Sequence, residues 1–105
     1  MSANIASIVN SSPVIVFSKD TCPYCQKLEV SLQRYCIPYK KVTVTPAIRD
    51  NLVSYTQCKT VPQLFINNRF IGGFTDFQAN IVQILKELER SNIRKPQPID
   101  LSVDF

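Results

Sequence analysis

The chain has 105 residues, 45% hydrophobic and 19% charged, which is single-domain length with enough apolar side chains for one core. Its 12 Lys and Arg against 8 Asp and Glu give a net charge of +4, spread too evenly to form a basic run, so nucleic acid is not expected as a partner. No apolar stretch reaches membrane-spanning length, and Met1-Ser2-Ala3-Asn4 lacks the basic start and apolar core of a secretory signal, so the expected setting is cytoplasmic.

Ile5, Ile8 and Val9 fall at helical spacing behind Ser2, a candidate N-cap, and predict a short leading helix that packs on the domain. Asn10-Ser11-Ser12-Pro13 breaks it. Val14-Ile15-Val16-Phe17 is an unbroken β-branched and aromatic run, which predicts a strand buried on both faces of a partly parallel sheet. A short polar loop then leads into Cys22-Pro23-Tyr24-Cys25. From there Cys25, Leu28, Leu32, Tyr35 and Cys36 recur three or four apart, marking the inward face of a helix.

Both thiols of that motif fall on the first helical turn, where side chains at i and i+3 lie ~5–6 Å apart at Cβ. That is near disulfide geometry. Cys22 is placed at the tip, where unpaired backbone N–H groups and the positive end of the helix dipole favour a thiolate. Pro23 suits the first helical position, because its missing N–H would have no partner there. Cys25 is placed inward. The asymmetry suits an attacking thiol and a shielded resolving thiol. A C-x-x-C is also half of a zinc site, but structural zinc takes four Cys or His ligands, commonly in two pairs. The chain has no His, and Cys36 and Cys58 stand singly, so a redox dithiol is favoured and no metal is expected. In a reducing compartment such disulfides are transient and catalytic. Cys36 reads as a small core residue.

Pro38 is expected to end the helix, and residues 39–44 read as a second strand, parallel to the first across a right-handed βαβ crossover. Thr45-Pro46 opens another helix, with Ile48, Leu52 and Tyr55 inward and Arg49 on a different face. Gln57-Cys58-Lys59 is a loop. Thr60-Val61-Pro62 precedes the strand-like run Gln63-Leu64-Phe65-Ile66, which turns at Asn67-Asn68 and returns antiparallel through Arg69-Phe70-Ile71. Gly72 and Gly73, the only glycines, imply a backbone requirement or a plain turn. Thr75-Asp76-Phe77-Gln78 fits a capping box, with Asp76 in the first turn of a helix whose apolar face is Phe77, Ile81, Ile84, Leu85 and Leu88. Residues 1–93 make the domain, and 94–105, with two prolines and little periodicity, an extended tail.

With C-P-Y-C at 22–25, T-V-P at 60–62 and G-G-F-T-D at 72–76, the chain resembles a dithiol glutaredoxin from about residue 3 to residue 90. The resemblance implies an α/β thioredoxin-like fold: a four-stranded mixed sheet flanked by helices, here with an added N-terminal helix. It implies a monomeric glutathione-dependent thiol–disulfide oxidoreductase that acts on glutathione mixed disulfides and protein disulfides, with Cys22 and Cys25 catalytic. It also implies a cis Val61-Pro62 peptide beside the active site.

Carried over residue by residue, Lys19 would help bind a glutathione carboxylate and favour the thiolate, and Tyr24 would line the groove. Val61, flanked by Thr60 and Pro62, would pair through its backbone with the cysteinyl part of the tripeptide. Thr75 and Asp76, next to Gly73, would meet the γ-glutamyl group. Arg49 and Lys59 stand where the family often has groups for the glycyl carboxylate. Gln57-Cys58 replaces a glycine common before T-V-P, so Cys58 is expected as a surface thiol near the groove. Two readings compete. A thioredoxin-like reductase would carry Trp before C-G-P-C, and this chain has no Trp. A dimer sharing a [2Fe–2S] cluster through Cys22 and glutathione is disfavoured in the family by a proline just after that cysteine.

Overall fold

A computed structural model describes residues 4–93. The Ser2 cap and the tail from residue 94 lie outside them. The elements run α1 (Ile5–Asn10), β1 (Val14–Ser18), α2 (Pro23–Arg34), β2 (Lys40–Thr43), α3 (Pro46–Thr56), β3 (Gln63–Ile66), β4 (Arg69–Gly72), α4 (Phe74–Ala79) and α5 (Ile81–Arg90). The four strands form one mixed sheet in the order β2-β1-β3-β4. β1 is parallel to β2 and antiparallel to β3, and β3 is antiparallel to β4.

Period-two alternation in β1 explains why its run is apolar throughout. Val14 and Val16 face one layer, with Leu64, Ile66, Leu28 and Leu32 of α2, Phe77 of α4, and Ile84 and Leu88 of α5. Ile15 and Phe17 face the other, with Phe65, Ile5 and Val9 of α1, and Leu52 of α3. Every residue of β1 and β3 is buried. The edge strand β2 is mostly exposed and carries Lys40 and Lys41, charges that discourage pairing with another chain. At the β3–β4 turn, Asn67 and Asn68 both take positive φ (49° and 66°), as a two-residue hairpin requires.

Several boundaries differ from the sequence expectations. Asn4 caps α1 through a 3.1 Å bond from the Ser7 N–H. α2 ends at Arg34, four residues before Pro38. The Cys36 N–H donates to the Gln33 carbonyl (3.0 Å) and the Ile37 N–H to that of Leu32 (2.9 Å), a double cap that puts Cys36 in the left-handed region at φ 57°. The cap turns Ile37 into the core and leaves Cys36 exposed, so Cys36 is not a core residue. Tyr35, the C-cap residue, is also exposed, with its ring edge-on to Phe77. β2 is shorter than expected, without Tyr39 and Val44. In α3 the predicted cap holds: Thr45 accepts from the Ile48 N–H at 3.3 Å, with Pro46 in the first turn. Tyr55 is half-exposed on that helix but rests its ring on Phe65.

The expected capping box is displaced by two residues. The helix starts at Phe74, and Asp76, not Gln78, closes back, accepting the Gly73 N–H at 3.1 Å. The single helix expected after it is two, α4 and α5, broken at Asn80, whose φ and ψ (−113°, 17°) are not helical.

Candidate active site

The site forms where the C-terminal end of β1 meets the start of β3. Cys22 is the N-cap residue of α2, in extended conformation, and its sulfur accepts the Cys25 N–H at 3.3 Å. Pro23 occupies the first turn as expected. Across the gap the Val61 carbonyl lies 3.7 Å from the Cys22 sulfur, and the Val61-Pro62 peptide is cis. Cys22 is half-buried, whereas Cys25, one turn along, has 0% exposure, and neither is in a disulfide. Burial pushes the Cys25 thiol up, and the adjacent Cys22 thiol adds to the rise. The polar Lys19 backbone and Ser18 side chain pull the other way and partly offset the rise.

Beside the dithiol, reached through Tyr24 and Val61, a groove of ≈ 610 Å³ lies between α4 and the loop before β3. It gathers Tyr24, Thr60, Val61, Pro62, Gly73, Thr75 and Asp76, seven of the residues expected there. Tyr24 is 56% exposed, leaning on Phe74 at 6.4 Å between ring centroids, with the Lys27 ammonium 5.0 Å above its ring. A smaller adjoining depression shares Thr60 and Val61 and is lined by Lys19, Arg49 and Lys59, so the three expected cations do converge. Arg49 pairs with its exposed neighbour Asp50 at 3.4 Å. Among the described residues, the side chains of Lys19 and Lys59 have no hydrogen-bond or ion-pair partner.

Gly72 answers the question left by the glycine pair. Its φ is 125°, and a Cβ there would stand 2.2 Å from the Asp76 carboxylate, so the requirement comes from backbone and from Asp76. At Gly73 a Cβ would make only ordinary contact, 3.4 Å from the Pro62 carbonyl. Cys58 lines the groove, half-buried, after Gln57, which takes the left-handed conformation (φ 63°).

The sequence reading missed three polar side chains around this site. Gln63 is 1% exposed and donates to the carbonyls of Cys58 and Thr60, both at 2.9 Å, which fixes the loop before Val61. Ser18 is fully buried and bonds Glu29 at 3.1 Å. A signal existed for Glu29: it lies four residues after Cys25, on the same helical face.

The glutaredoxin family model matches residues 14–71. Glutaredoxin-2 of Schizosaccharomyces pombe is 37% identical over 99 residues, covering 85% of this chain and 90% of that protein. Glutaredoxin-1 of Bos taurus is 38% identical over 84 residues, covering 70% and 77%. The crystal structure of a buckwheat glutaredoxin–glutathione complex superposes with a TM-score of 0.78 at 26% identity, over 86% of this chain and 88% of that one. Oxidized glutaredoxin 2 of Chlamydomonas reinhardtii does so with a TM-score of 0.69 at 35% identity, over 83% and 88%. A dithiol on the first turn of α2, in a fold shared across these proteins and a sequence this close to them, makes the chain a member of the glutaredoxin family and a thiol–disulfide oxidoreductase.

Proposed function

We propose that the chain reduces glutathione mixed disulfides and protein disulfides, with Cys22 as nucleophile, Cys25 as resolving thiol and glutathione as reductant. The observation that carries this reading is the unequal exposure of the two thiols. Cys22 is half-buried, with a backbone donor on its sulfur and the carbonyl of Val61, a groove residue, 3.7 Å away, whereas Cys25 has no exposed surface. In the proposed reaction Cys22 attacks the glutathione sulfur of a mixed disulfide, so glutathione stays on the enzyme and the target leaves as a thiol. Free glutathione then attacks that bond, releasing glutathione disulfide and regenerating Cys22. For protein disulfides Cys25 attacks the Cys22–target bond instead.

The groove supports glutathione as the bound tripeptide, as does the similarity to a glutaredoxin crystallised with it. Lys19, Lys59 and Arg49 offer positive charge for its glycyl carboxylate. The Val61 backbone offers strand-like hydrogen bonds to its cysteinyl unit, and Asp76 a carboxylate for its ammonium group. Thr60, Pro62, Gly73, Thr75 and Tyr24 shape the walls. The test is turnover of a small glutathione mixed disulfide with either glutathione and glutathione reductase or thioredoxin reductase as electron source. Rapid turnover with glutathione alone is expected. Turnover only with thioredoxin reductase would overturn the proposal in favour of a thioredoxin-like role.

A further inference from the structure

Gln63 starts β3 directly after the cis Val61-Pro62 peptide, opposite Phe17 of β1. It is the one polar residue in a strand buried along its whole length, and it is itself 1% exposed. Period two puts it on the face of Phe65, toward Val44 and Leu52 of α3. An apolar side chain of that size would bury there without leaving a polar atom unpaired. We infer that Gln63 is a positioning residue for glutathione, its amide holding the loop that presents Lys59, Thr60 and Val61, and that it sets substrate affinity rather than thiol reactivity. The inference rests on the glutathione reading proposed above.

The side-chain Nε2 carries two N–H groups, and this loop uses both. It donates to the Cys58 carbonyl and to the Thr60 carbonyl, each at 2.9 Å. A carbonyl can only accept, so turning the amide over would set Oε1 against two acceptors, and its partners fix its orientation. Little else ties the segment down. Among the described residues, the backbone N–H groups of Lys59, Thr60 and Val61 have no hydrogen-bond partner, and Pro62 has no N–H to give. The Cys58 N–H reaches back to the Thr56 hydroxyl at 3.1 Å, and the Cys58 thiol bonds within the loop, to Thr60. Only the Gln63 amide joins this loop to the sheet by side-chain hydrogen bonds. Thr60 and Val61 line both the groove and the depression that holds Lys19, Arg49 and Lys59, so a shift of the loop moves the walls of both.

The acceptor end of the amide points to function over stability. Oε1 is buried and has no hydrogen-bond partner among the described residues. An unpaired buried acceptor opposes folding. Gln63 thus combines donors that serve the binding loop with an acceptor that weakens the core, as expected of a group retained for activity.

The test compares Gln63→Leu and Gln63→Met with wild type in KM for the mixed disulfide of cysteine and glutathione, in Cys22 alkylation by iodoacetamide, and in Tm. Both variants should raise KM about 5–20-fold, the effect of losing two hydrogen bonds that fix a binding loop. Alkylation needs no glutathione and acts on a sulfur carried by α2, so its rate should change far less than KM. Tm should hold or rise, because the orphaned Oε1 is gone and the loop carbonyls can turn to water. Gln63→Asn keeps the donors one methylene shorter, within reach of a single carbonyl, and should give an intermediate KM. An unchanged KM in both apolar variants would overturn the inference, as would losses of affinity and of alkylation rate in equal proportion. A large fall in Tm in all three variants would make Gln63 a staple of the fold and overturn it as well. If wild type turned over this substrate no faster with glutathione than without, the glutathione reading would fall first, which keeps the two failures apart.

Discussion

At its turn, the β3–β4 hairpin brings Asn67 and Arg69 onto one carboxylate. Asn67 donates to Glu87 Oε2 at 3.0 Å and Arg69 pairs with Oε1. At the opposite end, where β3 leaves the groove, Lys19 and Lys59 have no such partner among the described residues, and Arg49 has only its exposed neighbour Asp50. Both ends are basic, yet only one satisfies its charge internally. The difference separates cations that hold elements together from cations available to an anionic substrate. Charge composition alone does not distinguish them.

The largest effect expected from testing this contrast is at Gly72, which joins the hairpin to the groove. Gly72→Ala forces a side chain onto a φ of 125° and into the Asp76 carboxylate. It should destabilise the fold by about 1–3 kcal/mol, read as a lower denaturation midpoint, and should weaken the glutathione KM as Asp76 moves. Next, Lys19→Gln and Lys59→Gln should each raise the KM for a glutathione mixed disulfide about two- to fivefold, less at high salt, with Tm unchanged. Asp76→Asn should raise KM as well, but with some loss of stability, since its carboxylate also caps α4. A lysine variant that lowered Tm and spared KM would erase the contrast.

The smallest effect is at the turn end, and it is a pH dependence. Burial alone would raise the Glu87 carboxyl, but Asn67 and Arg69, with Arg90 nearby, outweigh it and hold the group below its ordinary range. A carboxyl lowered on folding contributes stability that is full above its unfolded pKa and is lost as pH falls through the folded one. Wild type should therefore be more stable than Glu87→Gln at pH 7, with the gap closing as acid takes the pH below 4.5. Glutathione KM should not change.

Much of this arrangement was legible in the sequence, for reasons that differ by element. β1 and β3 could be read because a strand buried on both faces has to be apolar throughout, and the Asn67-Asn68 turn because few residues accept its backbone. The dithiol and its loop showed in motif spacing. Cys36 was misplaced because helical periodicity was continued past a helix that ends in a double backbone cap, which a non-glycine residue gave no warning of. The capping box was set two residues late because T-D-F-Q fits the pattern, while the actual cap uses a backbone N–H of glycine. Glu29 escaped notice because a carboxylate on a helix reads as solvated. Its partners, Ser18, Tyr39 and Lys41, come from β1, the loop before β2 and β2 itself, and only the fold brings them together.

The central claim is that the two thiols have separate duties, and activity of the two serine variants toward two substrates tests it most directly. Cys22→Ser should lose both deglutathionylation and protein disulfide reduction, because an alcohol is a far poorer nucleophile at neutral pH. Cys25→Ser should keep deglutathionylation, where glutathione itself resolves the intermediate, and lose most protein disulfide reduction. A Cys22→Ser variant that still turned over glutathione mixed disulfides, beside a Cys25→Ser variant that did not, would contradict the account.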